Sequence, residues 1–125
     1  MNEYIARMVQ ADGIILASPV YYADVTARMK AVMERAGFVA KANGNLLKRK
    51  VGAAVISVRR GGQIHAFDTI NHFLHISQMI IPGASYWNFA FGIEPGEVEK
   101  DQEGIRTMHS LGRNMAWLLK RIGAP

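Results

Sequence analysis

The stretch ADGIILASPVYYADVTARMKAVMERAGF (residues 11–38) decides the fold class. Its apolar run, residues 14–17, is short, and it is followed by a polar, aromatic turn at 18–24 and by the helix-period pattern of residues 25–36. That succession is typical of a buried parallel strand and its crossover helix. In open α/β sheets ligands bind beyond the carboxyl ends of the strands, so we expect the turn at 18–24 to belong to a ligand site.

The rest of the chain continues this alternation of helices and strands. The predicted strands are 14–18, 51–58 and a short one opening the segment 79–87. The predicted helices are 1–11, 25–36, 63–77 and 101–122. The order implies an α/β fold with parallel strands in a three-layer arrangement, and the length of 125 residues implies one domain over residues 1–125.

Local signals set the expected helix boundaries. Asp24 is a candidate N-cap for the helix at 25–36, Gly37 is expected to end that helix, and the polar segment 39–50 is predicted to be a loop. Gly123 is expected to stop the last helix. The predicted core face of the last helix consists of Ile105, Met108, Leu111, Met115, Leu119 and Ile122.

Composition excludes several classes of protein. No apolar run reaches the 18 or so residues of a membrane span, and residues 1–13 lack the apolar centre of a signal peptide. The sequence contains no cysteine, which excludes disulfides and thiolate-ligated metals within it. The net charge is +5, but the triplet Lys48-Arg49-Lys50 is better interpreted as a solvated loop than as a phosphate-binding patch. A cytoplasmic protein without a nucleic-acid or membrane partner is expected.

One cluster invites a metal-site interpretation. His65, Asp68, His72 and His75 recur at spacings that place them on one face of the predicted helix 63–77. Imidazoles and a carboxylate can bind zinc, but four ligands on one helix rarely converge on one ion. A polar face exposed to solvent or to another subunit is the favoured interpretation, and no metal is predicted.

Three motifs carry a resemblance to a known family. ADGIILASPVYYADVTARMK, KVGAAVISVRRGGQ and SQMIIPGASYWN closely resemble the NAD(P)H-dependent FMN reductase family of flavodoxin-like proteins, which includes the flavoprotein part of iron–sulfur flavoproteins and tetrameric quinone reductases. The resemblance covers essentially the whole chain. It implies strands three to five of a five-stranded flavodoxin-like sheet, FMN as cofactor and NAD(P)H as co-substrate.

The chain also departs from the family pattern in two ways. The strand and the Ser/Thr/Asn-rich loop that bind the FMN phosphate in the family are not in these 125 residues, so we expect FMN to be held weakly or lost. The cysteine motif of iron–sulfur flavoproteins is also missing, so no electron route through a cluster is expected.

The resemblance places the flavin ring against two loops. An isoalloxazine ring needs flat apolar surfaces and hydrogen-bond donors, which aromatic turns and glycine-bearing loops supply. The first loop comprises Ser18, Pro19, Val20, Tyr21, Tyr22, Ala23 and Asp24, and the second comprises Ser57, Val58, Arg59, Arg60, Gly61, Gly62 and Gln63.

Alternatives stay open within both loops. Tyr21 and Tyr22 would otherwise simply cover the end of the sheet. Arg59 or Arg60 would otherwise meet the phosphates of NAD(P)H or a carboxylate of a neighbouring chain. A third loop, residues 83–88, is expected at the carboxyl end of the last strand, with Trp87 either in a core or subunit contact or in a wall of the site.

The function expected from these features is that of an FMN-dependent NAD(P)H oxidoreductase that passes electrons to a quinone or to free flavin. The flavin does the chemistry, so no catalytic side chain is assigned. The alternative is a non-enzymatic flavodoxin-like interaction module that cannot retain FMN. Because the first strand of the family sheet is missing, the strand at 14–18 is expected to form an exposed edge, and the chain is expected to self-associate as a dimer or tetramer.

Overall fold

The computed structural model describes residues 2–123, which form an open, parallel three-stranded sheet with helices on both faces. The strands are β1 (Gly13–Pro19), β2 (Val51–Val58) and β3 (Phe89–Phe91). The helices are α1 (Asn2–Gln10), α2 (Ala27–Ala42), α3 (Gln63–Ile76) and α4 (Gln102–Ile122), with a 3-10 turn at Glu97–Lys100. The predicted α/β class with parallel strands is confirmed. Within residues 2–123, every helix is too short or too polar to cross a membrane.

The central strand β2 is buried on both faces. Its side chains at Ala54 and Ile56 join a core with α1, α2 and α3, whereas Val51 and Ala53 pack against α4 on the other face. A strand covered on both sides needs a continuous apolar run rather than an alternating one, and the sequence VGAAVISV provides it. The two cores therefore meet at β2.

The strand β1 lies at the edge of the sheet and is covered on one face only. Ile14 and Leu16 are buried beneath the helices, whereas Ile15 is 55% exposed and Ala17 is exposed on the opposite face. On that opposite face α4 covers β2 and reaches the start of β1, where Leu119 and Met115 lie against Gly13, but it leaves Ile15 and Ala17 uncovered. Within residues 2–123, β1 pairs only with β2, so the predicted edge at 14–18 is confirmed.

The third strand was predicted at the wrong place. At 79–87 only Ile80 pairs with the sheet, in a single parallel bridge to Val51, and the true strand β3 begins at Phe89. Between them the chain leaves the sheet. The Asn88 side chain fills this interruption, because its buried amide donates a 2.9 Å hydrogen bond to the carbonyl of Ala54. The loop at 83–88 therefore lies midway along this edge and not at the carboxyl end of the last strand.

Two expected boundaries of the second helix are wrong. The N-cap of α2 is Thr26, whose hydroxyl accepts a 3.1 Å hydrogen bond from Met29 N–H, and not Asp24. Gly37 lies inside α2, which continues to Ala42. A glycine at this position makes room for the Phe73 ring, which lies 3.2 Å from where a Cβ would be. Helix α2 thus extends into the predicted loop 39–50.

The last helix was placed correctly, and its predicted core face is confirmed except at Ile122. Leu111 and Met115 are buried as predicted, and Ile105, Met108 and Leu119 are half-buried. Ile122 is exposed instead of buried. Gly104 and Thr107 are buried in addition, where the first turns of α4 approach β3.

Asp101 joins β3 to α4. One carboxylate oxygen accepts a 3.0 Å hydrogen bond from Gly104 N–H and caps the helix, and the other accepts a 2.8 Å bond from Phe91 N–H. These two backbone donors lower the pKa of the Asp101 carboxyl below its usual value of 3.8. A lowered pKa in the folded protein means that the carboxylate stabilises the fold above pH 3.8 and that this contribution is lost as the pH falls further.

Replacing Asp101 with Asn should lower the free energy of unfolding at pH 7 by about 1 kcal/mol, because a neutral amide cannot serve both donors equally well. The same replacement should also weaken the loss of stability below pH 4, since the group that titrates is gone. Urea denaturation at pH 7 and pH 3 measures both effects. Asp68→Asn, on an exposed position of α3, is the matched control, and equal behaviour of the two variants would contradict the assignment.

Candidate functional site

Two loops meet at the carboxyl ends of β1 and β2. The β1 loop comprises residues 18–26 and the β2 loop comprises residues 57–63. They are joined by a 3.0 Å hydrogen bond from Val20 N–H to the carbonyl of Ser57. Because adjacent parallel strands end at the same edge of a sheet, the predicted proximity of these loops is what the strand order requires.

The tip of the β1 loop is a two-residue turn. Tyr21 and Asp24 exchange backbone hydrogen bonds of 2.8 and 3.0 Å, and between them Tyr22 and Ala23 have φ angles of 50° and 63°. Left-handed backbone at residues other than glycine costs on the order of 1 kcal/mol each and persists only where the surroundings hold it. The turn projects both tyrosine rings outward, and Tyr22 is fully exposed. Neither ring is used to cover the end of the sheet.

The two glycines of the β2 loop have different roles. Gly62 has a φ of 85° and lies against the turn, so that a Cβ there would come within 2.6 Å of the Ala23 Cα. Gly61 has no atom of another residue within 4 Å of its Cβ position. Gly62 therefore locks the two loops together, whereas Gly61 leaves backbone open for the close approach of a ligand.

Asp24 serves the loop rather than a ligand. Its carboxylate accepts a 2.7 Å hydrogen bond from Val25 N–H and lies 3.7 Å from His65 Nε2. Partial burial raises the pKa of the Asp24 carboxyl, but the hydrogen bonds from the Thr69 side chain and from Val25 outweigh it. The resulting pKa lies below the usual 3.8, so Asp24 is an anion at neutral pH and ties the β1 loop to α3.

Ser18 is also internal. Its hydroxyl is buried, donates to the carbonyl of Pro19 at 2.8 Å and accepts from Thr26 N–H at 3.1 Å. The predicted site residues thus divide into two groups. Those that hold the loops in place are Ser18, Pro19, Val20, Ala23, Asp24, Ser57, Val58 and Gly62. Those open to a ligand are Tyr21, Tyr22, Arg59, Arg60 and Gly61, with Gln63 half-buried beside them.

The start of α3 gives the site positive character. Gly62 occupies the N-cap and has no side chain to accept from the first N–H groups of the helix. Arg59 and Arg60 are exposed in the same loop. Free N–H groups and guanidinium ions favour an anionic or electron-rich edge of a ligand. This cradle fits the edge of an isoalloxazine ring, whereas a Ser/Thr-rich phosphate loop does not occur in the described residues.

A cavity of about 280 Å³ adjoins the β2 loop, between the first turns of α3 and α4. Its apolar walls are formed by Ile64, Tyr86, Trp87, Phe89 and Phe91, and its polar groups belong to Gln63, Asp101, Glu103 and Thr107. We call it the aromatic cavity. Trp87 is half exposed there, which agrees with a wall and not with burial in the core.

Most of this cavity was missed by sequence reasoning. The segment 79–87 was assigned the last strand, so Phe89 and Phe91 were not recognised as strand residues. The alternation Phe89-Ala90-Phe91 after a buried Asn88 was the available signal, and it is only three residues long.

The predicted histidine cluster lies along α3. His65 faces Asp24, and His72 lines a groove between α2 and α3 that Asp24 also borders. Across residues 2–123, groups of three or more His, Cys, Asp or Glu side chains do not come together as metal ligands.

Comparison with known proteins assigns a family to this arrangement. The sequence model described as NADPH-dependent FMN reductase matches residues 1–94. An iron–sulfur flavoprotein of Methanocaldococcus jannaschii is 36% identical over 129 residues, which cover 98% of this chain and 66% of that protein. An iron–sulfur flavoprotein of Methanosarcina thermophila is 35% identical over 124 residues, covering 98% and 63%. The chain thus spans just under two thirds of the length of these relatives.

Solved structures agree on the fold. A flavodoxin, the WrbA-like protein of Agrobacterium tumefaciens, superposes with a TM-score of 0.68 over 91% of this chain and 74% of that chain. The two sequences are only 14% identical, so the similarity concerns the fold alone. It confirms the predicted flavodoxin-like architecture.

Replacing Gly62 with Ala should lower the free energy of unfolding by about 3 kcal/mol, because a Cβ would collide with the backbone of Ala23 and the left-handed φ would be strained. Gly61→Ala is the matched control and should change stability little, since its Cβ would meet open space. Chemical denaturation of both variants decides the point. If Gly61→Ala proved as damaging as Gly62→Ala, the division of roles between the two glycines would be wrong.

Proposed function

Because the chain belongs to the NADPH-dependent FMN reductase family, we propose that it holds FMN at the β1 and β2 loops and acts as an NAD(P)H-dependent oxidoreductase. The electron acceptor we propose is a quinone or free flavin. The single observation that carries the proposal is the pairing of two rigid loops at neighbouring strand ends, with aromatic rings and open backbone exposed together. When bound, the flavin accepts a hydride from the reduced nicotinamide and passes the electrons to the acceptor.

The protein's own residues bind and orient. Tyr21 and Tyr22 offer flat apolar surfaces for the ring, held outward by the turn between them and Asp24. The backbone at Gly61 would permit close approach of the ring, and the N–H groups at the start of α3 would be available to the ring edge on which reduction places negative charge. Because these donors are fixed before the ligand arrives, they need no reorganisation.

The hold on FMN is proposed to be weak in these 125 residues. Phosphate binding normally depends on a loop at a helix N-terminus, and the Ser/Thr/Asn-rich loop expected from the family does not occur in this sequence. Arg59 and Arg60 are exposed and are candidates for the phosphates of NAD(P)H. The alternative function that we propose is that of a non-enzymatic module that does not retain FMN.

A titration with FMN, followed by anaerobic addition of NADPH or NADH, separates the two functions. The oxidoreductase should show saturable quenching of flavin fluorescence and loss of the flavin's visible absorbance on reduction. Gly61→Val should weaken FMN binding by roughly tenfold, the effect of about 1.4 kcal/mol, since it blocks the open backbone. Gly83→Val, which also adds a side chain in open space but lies outside both loops, should bind FMN normally.

Three results would count against the proposal. FMN that fails to bind at millimolar concentration would favour the non-enzymatic module. Bound FMN that neither nicotinamide reduces would exclude the reductase. Equal FMN affinity in the Gly61→Val and Gly83→Val variants would place the flavin elsewhere.

We also propose that this chain associates with a second copy of itself and works in the cytoplasm. Within residues 2–123 the outer edge of β1 pairs with no other strand, and Ile15 and Ala17 are exposed on the open face beside it. Such an edge attracts another strand unless something covers it. Ile15 belongs to no described core cluster although it is a large apolar residue.

Light scattering at micromolar concentration should therefore give a mass above that of one chain of 13.8 kDa. Ile15→Glu should shift the distribution toward the monomer, because a charge in the contact would lose its solvent. Ile93→Glu, at another exposed isoleucine, is the control and should leave the mass unchanged. A monomer whose outward-facing amides in β1 exchange slowly with solvent would contradict the proposal.

A further inference from the structure

The aromatic cavity has the features of a small-molecule site in its own right. It lies at the carboxyl end of β3, and its volume of about 280 Å³ is just below the range of roughly 300–1,000 Å³ that is typical of ligand pockets. A space of this size suits a ligand of one or two fused rings. It is too small for a complete flavin nucleotide, and Gln63 is the one lining residue that it shares with the site proposed on the β1 and β2 loops.

The walls of the cavity are flat and partly uncovered. Trp87 is 52% exposed and Phe91 and Ile64 are each 43% exposed around the same opening, with the buried Phe89 ring beneath. The Tyr86 and Trp87 rings lie 4.9 Å apart between centroids, and Trp87 lies 6.4 Å from Phe89. Large apolar side chains grouped at one opening mark a binding surface, and flat rings bind other flat rings through offset or edge contacts.

The charged side chains that line the cavity are acidic although the chain as a whole is basic, and their full negative charges exceed the partial positive charge at the first turns of α3 and α4. The protein carries a formal net charge of +5, yet the two charged side chains that line the cavity are the carboxylates of Asp101 and Glu103. Asp101 is occupied by the backbone donors of Gly104 and Phe91. The Glu103 carboxylate is exposed, and among residues 2–123 it forms neither a salt bridge nor a side-chain hydrogen bond. Glu103 is therefore the free anion at the opening.

We propose that the aromatic cavity binds a planar ligand of one or two rings that carries a positive charge or hydrogen-bond donors toward Glu103. The rings would lie against Trp87 and Phe91, and the Gln63 side chain would supply a further polar contact. An anionic ring of the same shape is selected against, because it would face an unpaired carboxylate. This site goes beyond the proposed flavin function, and its ligand binds whether or not FMN is present.

Benzamidine, benzamide and benzoate test the proposal, since they share one shape and carry charges of about +1, 0 and −1 near pH 7. Trp87 reports binding by its fluorescence in a Trp117→Phe variant, where it is the remaining tryptophan. We expect saturable changes, with benzamidine binding roughly tenfold more tightly than benzoate and benzamide in between. Trp87→Phe, which leaves only the distant and exposed Trp117, should show no saturable change.

A pair of acidic variants locates the charge selectivity. Glu103→Gln should bring the three dissociation constants to within about twofold to threefold of one another, while Glu99→Gln, an exposed glutamate outside the cavity, should preserve the order. Three outcomes would overturn the proposal. They are equal affinity for the three compounds in the presence of Glu103, loss of selectivity in both acidic variants, and a saturable signal from Trp117 alone.

Discussion

The pairing of β2 on both of its edges is the constraint on which the rest of this structure depends. β1 is held along residues 13–19 on one side, and Ile80 and β3 are held on the other. Parallel pairing requires each strand to return through a crossover, so the helices cover the faces and leave the strand ends for loops. The buried, apolar character of β2 thus determines where the β1 and β2 loops and the aromatic cavity lie.

Between Ile80 and Phe89 the chain leaves the edge of β2, and the side-chain amide of Asn88 takes over the backbone hydrogen bond that is missing there. Asn88 donates to the Ala54 carbonyl, which would otherwise be buried without a partner at a cost of about 1–3 kcal/mol. With the ladder completed in this way, the intervening residues are free to leave the sheet. Tyr86 and Trp87 belong to the segment that leaves the sheet, and they form one wall of the aromatic cavity.

The parts of the fold that the sequence predicted well are those with uniform patterns. The run at 51–58 and the periodic helix from 102 onward were located to within a residue or two. The third strand was misplaced because it has only three residues, and because the apolar run that opens the segment 79–87 favoured a strand there, where only Ile80 pairs with β2. The cap of α2 was misplaced since two good capping residues, Asp24 and Thr26, stand two positions apart and only the structure shows which carbonyls and N–H groups they serve.

The candidate site was predicted by position rather than by role. The strand-end rule indicated the β1 loop, and the family resemblance indicated both loops. No local pattern reveals that Ser18 and Asp24 turn inward or that Tyr22 and Ala23 adopt left-handed backbone. Those facts depend on contacts between segments far apart in the chain. The difference between Gly61 and Gly62 is of the same kind, because it arises from the position of Ala23.

The contact between Gly62 and Ala23 also limits how this site can diverge during evolution. A Cβ at position 62 would meet the Cα of residue 23, which every amino acid carries, so no exchange at position 23 can accommodate a side chain at position 62. Tyr21 and Arg59 carry no such restriction, because their side chains extend into solvent. New ligand preferences can therefore arise by exchange of the outward side chains while the backbone of the β1 and β2 loops stays the same. We expect the backbone of these loops to change more slowly during evolution than the ligand specificity.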